Sequence, residues 1–82
     1  MFYIYIIKSL KTKKYYIGSS SNIEKRLKQH NSYRVKSTKS FVPWELIYTE
    51  SFTNRNIAVK REQQLKNWKS REAIEKLIKK HF

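Results

Sequence analysis

Phe2-Tyr3-Ile4-Tyr5-Ile6-Ile7 and, after a polar break, Tyr15-Tyr16-Ile17-Gly18 are the stretches that decide how this chain folds. The first is an unbroken run of aromatic and β-branched residues, the pattern of a strand buried on both faces. Lys11-Thr12-Lys13 reads as a hairpin loop, and the second stretch as a strand antiparallel to the first. Gly18 is the only glycine in the chain. At the end of a strand it either admits close backbone approach or serves as a turn residue.

The rest of the chain extends this hairpin. Ser21-Asn22-Ile23-Glu24 fits a capping box, with Ser21 as N-cap and Glu24 reaching back. It predicts a helix to about Asn31 that turns Ile23 and Leu27 inward. From Asn31 to Pro43 the sequence is polar and basic without periodicity, a long connection for so short a chain. Trp44 to Phe52 alternates as a third strand, with Trp44, Leu46 and Tyr48 expected on one face. Thr53 or Asn54 caps a second helix reaching about Trp68. Ser70 caps a third, with Ala73, Ile74, Leu77 and Ile78 as its apolar stripe. Glu72 falls in its first turn and Lys79 and Lys80 in its last, as the helix dipole favours. The expected order is β-β-α-β-α-α: an α+β fold with a three-stranded, mostly antiparallel sheet flanked by helices.

Composition bounds the chemistry. The chain has 82 residues, enough for one domain, and no cysteine. Disulfides, thiolate metal sites and cysteine nucleophiles are therefore excluded. No apolar run approaches the ~18–20 residues of a membrane span. The longest, Met1 to Ile7, has no charged n-region and is followed by Lys8, so a signal peptide is not expected. The expectation is a cytoplasmic protein with no membrane partner. Lys and Arg total 19 against six carboxylates, a formal net charge of +13. That excess points first to a nucleic acid and second to an anionic membrane surface.

Six glutamates can be weighed one by one. Glu24 has a capping role, Glu45 and Glu50 read as surface residues of the third strand, and Glu72 and Glu75 lie on the polar side of the last helix. Glu62 differs: at 100° per residue it falls about 40° from Ala58 and about 60° from Leu65, at the border of the inward sector. It can reach a cleft, or it can simply pair with Lys66 at i,i+4. Arg26 and His30 share a face of the first helix, with Asn22 leading it. Arg can grip phosphate bidentately, and His can move a proton near neutral pH. Both also have plainer readings, as a solvated cation and as a helix C-terminal residue. Tyr5 and Tyr16 sit on neighbouring strands, either packing partners or a reactive pair. A phenol with an ordinary pKa of ~10 needs neighbouring cations to act as a base near pH 7.

Tyr3-Ile4-Tyr5, Tyr16-Ile17-Gly18, Arg26 with His30 and Asn31, and Glu62 together resemble the successive motifs of the GIY-YIG nuclease family. The resemblance covers essentially the whole chain. It is greatest to small bacterial members and to the N-terminal nuclease module of the bacterial excision-repair endonuclease. It implies a metal-dependent DNA endonuclease with Tyr5, Tyr16, Arg26, His30 and Glu62 as catalytic residues. Glu62 would be the sole protein ligand of Mg²⁺ or Mn²⁺, which would act as Lewis acid at the leaving oxygen. Arg26 would hold the scissile phosphate. Tyr16, or alternatively Tyr5, would orient or deprotonate the attacking water, and His30 would support that tyrosine through a hydrogen bond. No covalent intermediate is implied.

Three positions depart from the family pattern. Tyr3 stands where the family name has Gly. Ser19 follows Gly18 where the repair enzymes carry lysine, so a cation must come from elsewhere, Lys14 being one source. Ala73-Ile74 occupies the region where some members have a late asparagine, and Asn67 comes too early to replace it.

The charge suggests the binding surface. Lys25, Arg26, Lys28, Arg34, Lys36 and Lys39 cluster along the first helix and the basic loop. Lys14, Lys60, Arg61, Lys66, Lys69 and Arg71 extend the track. Each neutralised duplex phosphate contributes a log–log salt slope of about −0.9. Tyr33, Phe41 and Trp44 are candidates to stack on unpaired bases, Trp44 alternatively belonging to the core. DNA is the expected partner, RNA is a second possible substrate, and a protein partner is a candidate supplier of specificity. The alternative reading is a nucleic-acid-binding module with the nuclease fold and little activity.

Overall fold

The computed structural model describes residues 1–80, and it contains the expected order of elements. β1 spans Phe2–Ser9, β2 Tyr15–Ser20, α1 Ile23–Asn31, β3 Trp44–Phe52, α2 Arg55–Asn67 and α3 Arg71–Lys79. One 3-10 turn, Lys39–Phe41, interrupts the long loop between α1 and β3. The sheet runs β2-β1-β3, and both pairings are antiparallel.

The central place of β1 explains its unbroken apolar run. Side chains alternate across a strand, so Ile4 and Ile6 go to one face and Tyr5 and Ile7 to the other, all buried. Ile4 and Ile6 pack with Tyr48, with Ala58 and Leu65 of α2 and with Ile74 of α3. Tyr5 and Ile7 pack with Trp44, Tyr16, Ile23 and Leu27 beneath α1. The sheet thus has α2 and α3 on one face and α1 on the other, two small cores sharing one strand.

Two local expectations are corrected. The N-cap of α1 is Asn22, whose Oδ1 accepts from Lys25 N at 3.1 Å, not Ser21. β2 runs through Ser20, and the Ser20 hydroxyl accepts from Asn22 N at 3.0 Å, so the helix starts one residue later. Glu24 then falls at the second helical position, one short of a capping box. It still lies in the first turn, where a carboxylate is favoured. The second correction concerns β3. Ile6 pairs with Tyr48 but Ile7 with Leu46, which leaves Ile47 as an extra residue. Such a bulge flips the alternation. Trp44 and Leu46 therefore share the α1 face, while Tyr48 points to the α2 face. Asn54 caps α2 and Ser70 caps α3, each through its side chain.

The aperiodic loop is fastened rather than free. Asn31 at the end of α1 clamps the start of β3: its Nδ2 donates to Trp44 O at 3.1 Å, and Trp44 N donates to its Oδ1 at 2.6 Å. The Trp44 indole Nε1 donates to Thr38 O at 2.9 Å, and Ser9 Oγ donates to Phe41 O at 2.6 Å. Replacing Asn31 with Ala removes both clamp bonds and leaves partly buried backbone groups unpaired. The expected loss is about 1–3 kcal/mol of stability, read as a lower midpoint in urea unfolding with unchanged slope.

Candidate active site

The site is built on β2, the edge strand that both helical layers reach. Gly18 pairs with Tyr5 across the hairpin. Its backbone needs no left-handed angle; what it supplies is room. A Cβ placed there would overlap the Tyr5 hydroxyl and stand 2.5 Å from Cζ. The Tyr5 ring therefore lies across Gly18 and ends at His30, with its Oη 2.9 Å from Nε2.

His30 is buried at the end of α1, with Nδ1 2.8 Å from Thr38 Oγ1. The Thr38 hydroxyl donates to Val35 O at 3.4 Å, so it accepts from His30 Nδ1–H. Nε2 is then the acceptor and Tyr5 O–H the donor. Burial, aided by the nearby Arg26 charge, lowers the His30 pKa from 6.5 to about 4. The imidazole is neutral near pH 7 and holds a fixed tautomer. Burial also raises the Tyr5 pKa, against the lowering pull of the Arg26 hydrogen bond; Tyr16 and Glu62 add to the rise. Tyr5 is thus a buried, protonated phenol within the fields of Arg26, Tyr16 and Glu62 together.

Tyr16 lies beside this pair, its ring 5.0 Å from that of His30 and 6.3 Å from that of Trp44. It is half-buried, and among the described residues its hydroxyl has no hydrogen-bond partner. His30 thus hydrogen-bonds Tyr5, the alternative of the two tyrosines named for the water, and meets Tyr16 by its ring edge. Arg26 is oriented by Gln29, whose Oε1 accepts from Nη1 at 2.9 Å.

Glu62 comes from the opposite layer. α1 and α2 cover different faces of the sheet, but α2 lies along the edge strand and its side chains reach round it. Lys66 Nζ donates to Glu62 Oε2 at 2.6 Å and stands 6.0 Å from the Tyr16 ring centre. The Glu62 side chain is 14 % exposed. The expected i,i+4 pair is present, and it faces the tyrosines. Lys66 thus supplies a cation beside Tyr16 that Ser19 cannot; Lys14 instead stands over the Phe41 ring at 4.9 Å.

Other cations divide into two groups. Lys25, Lys28 and Arg34 line a shallow groove of about 290 Å³ on the outer side of α1. Lys36, Lys39, Lys60 and Lys69 are exposed. Arg61 differs from the surface cation that the sequence suggested. It is half-buried, its Nε and Nη2 donate to Glu50 at 2.9 and 3.0 Å, and it stands over Trp68. Glu50, read as a surface residue, is its partner and also accepts from Tyr48. Of the stacking candidates, Trp44 is buried and Phe41 packs against it, while Tyr33 is exposed at φ 65. Thr38 escaped the sequence reading. It sits in a segment without periodicity, and only a partner for the buried His30 could have pointed to it.

The profile of the GIY-YIG catalytic domain matches residues 1–81. The chain belongs to the GIY-YIG family. It is 42% identical over 77 residues to a UPF0213 protein of Staphylococcus saprophyticus, covering 93% of this chain and 92% of that one. It is 38% identical over 73 residues to the structure-specific endonuclease subunit SLX1 of Debaryomyces hansenii. That match takes in 78% of this chain but only 21% of SLX1. The solution structure of a UPF0213 protein from Bacillus halodurans shares the fold with a TM-score of 0.60 at 30% identity, over 96% of this chain and 84% of that one. No described helix is long and apolar enough to cross a membrane.

Two outcomes follow from this geometry. Gly18→Ala should push the Tyr5 phenol off His30 and cost about 1–3 kcal/mol, seen as a lower thermal midpoint; an unchanged midpoint would mean the ring has room to move. Stability should also fall with acid. The His30 pKa is lower folded than unfolded, so the unfolded chain binds the extra proton as pH drops from about 6.5 to about 4. The loss over that window is on the order of 3 kcal/mol, and urea unfolding of His30→Gln should lack it.

Proposed function

We propose that this GIY-YIG domain is a metal-dependent DNA endonuclease that hydrolyses a phosphodiester bond. The observation that carries the reading is the meeting of Tyr16, Arg26 and the Tyr5–His30 pair with Glu62 and Lys66 around one edge strand. Arg26 and Glu62 come from opposite layers, and the Tyr5 phenol lies within the fields of both, on a chain of +13 charge.

Tyr16 presents its free hydroxyl to the attacking water, orients it and takes its proton. Lys66 Nζ stands 6.0 Å from the centre of the Tyr16 ring, a cation beside the phenol that meets the water. Arg26, held by Gln29, grips the scissile phosphate and offsets charge that builds up on it. Tyr5 and His30 are positioning groups: their buried bond fixes α1 over the hairpin and holds Arg26 close to the Tyr5 hydroxyl. The water oxygen bonds to phosphorus, the ester bond to the leaving nucleotide breaks, and no enzyme–DNA bond forms.

Glu62 suits a hydrated ion such as Mg²⁺ or Mn²⁺. Its Oε1 accepts no hydrogen bond among the described residues. No group of three or more potential ligands occurs among them, so an ion that keeps most of its water is the match. Such an ion supplies Lewis-acid stabilisation of the leaving oxygen when bound. The Lys66 ammonium on Oε2 competes for the same carboxylate.

Cleavage of a panel of nicked, branched, flapped, looped and supercoiled DNAs, with single-stranded RNA alongside, tests the reading. Cutting should require Mg²⁺ or Mn²⁺ and stop with EDTA. Glu62→Ala should lower the rate by at least about 100-fold while DNA affinity changes little. If the wild type cuts none of these with Mg²⁺, Mn²⁺ or Co²⁺, the domain is a binding module instead.

A further inference from the structure

A second opening adjoins the site on its hairpin side. Between the start of β2 and the α2–α3 junction runs an open cleft of about 440 Å³. Tyr15, Ile17, Leu65 and Ile74 give it an apolar floor, and Lys14, Lys66 and Lys69 give it a basic rim. Among the described residues no carboxylate lines it. Lys66 belongs to both places: its ammonium pairs with Glu62 and stands beside Tyr16. The cleft is therefore a continuation of the active site rather than a separate hollow.

Its walls are held in place. The Arg71 guanidinium lies 4.5 Å from the centre of the Tyr15 ring. It is itself fixed by Lys13 O at 2.6 Å and Glu75 at 2.9 Å. The hairpin loop and the start of α3 are thereby tied together across the mouth, with Tyr15 as a rigid aromatic side. Lys69 sits at φ 47 in the turn between the two helices, exposed. A left-handed angle is unusual for lysine, and here it is adopted where the turn must bring α3 back to the sheet.

We propose that this cleft seats one unpaired nucleotide adjoining the scissile phosphate, with its base against the apolar floor and its phosphate among the rim lysines. The inference rests on the endonuclease reading and adds a substrate class to it: DNA with a single-stranded segment beside the cut. Charge complementarity and continuity through Lys66 point to the same strand that occupies the active site. A base paired in a duplex is covered on both faces by its neighbours and cannot reach the floor, whereas an unpaired one can stack there.

The test uses the full chain carrying Glu62→Gln, in EDTA, so that binding is read without chemistry. Two probes are compared at equal salt: a DNA hairpin that is paired throughout, and the same hairpin with a short single-stranded extension whose first base is 2-aminopurine. The extended DNA should bind about fivefold or more tightly, and its 2-aminopurine emission should change on saturation. Adding Tyr15→Leu, or separately Lys69→Asn, which tolerates the left-handed angle, should bring the affinity ratio toward one. Equal affinity for the two DNAs, unchanged emission, or a ratio that survives both substitutions would overturn the proposal. A wild type that binds as expected but never cuts would overturn the endonuclease reading and leave the nucleotide seat standing.

Discussion

The Tyr5 hydroxyl bonded to His30 across a bare Gly18 is the contact on which the rest of the structure depends. It joins the central strand, the edge strand and the end of α1 in one buried chain, and Thr38 extends that chain into the long loop. Each member has a partner, and no buried side-chain nitrogen or oxygen among the described residues lacks one. In so small a domain a polar network of this kind must be fully satisfied, because an unpaired buried group costs more than a bond contributes. The network also explains why a histidine can sit at zero exposure: it is kept neutral, and both ring nitrogens are used.

From that contact the geometry of the site follows. Tyr5 fixed over Gly18 places Tyr16 on the same face, two residues along the edge strand. β2 is an edge strand among the described residues, so α2 on one face and α1 on the other can both present side chains at its open side. An interior strand would have separated Glu62 from Arg26 by a full sheet. The edge position lets carboxylate, guanidinium and phenol belong to different layers and still lie close enough together for the proposed action on one phosphate.

Much of this was legible in the sequence. The unbroken run Ile4–Ile7 gave the central strand, Ser70 and the Ala73–Ile78 stripe gave α3, and the ordered set of tyrosines, Arg26, His30 and Glu62 gave the family. What was not legible has specific causes. The bulge at Ile47 leaves no mark in the pattern of β3, so Tyr48 was placed on the wrong face. Asn22 and Ser21 are both good caps, and strand length, which only pairing decides, chose between them. Glu50 and Arg61 are eleven residues apart on different elements, so nothing local reveals that they pair and withdraw a cation from the surface. Thr38 matters only because of what His30 needs.

The central claim is that α1, α2 and β2 share one opening in which Glu62 can hold an ion within reach of Tyr16 and Arg26. Paramagnetic broadening by Mn²⁺ in NMR spectra of the free protein tests it most directly. Signals of Glu62 and Lys66 should broaden first, followed by the Tyr16 ring and the Arg26 guanidinium, and Glu62→Gln should remove the effect at all four. Broadening that reaches Glu62 but spares Tyr16 and Arg26, or that centres on Glu24 or Glu72 instead, would contradict the account.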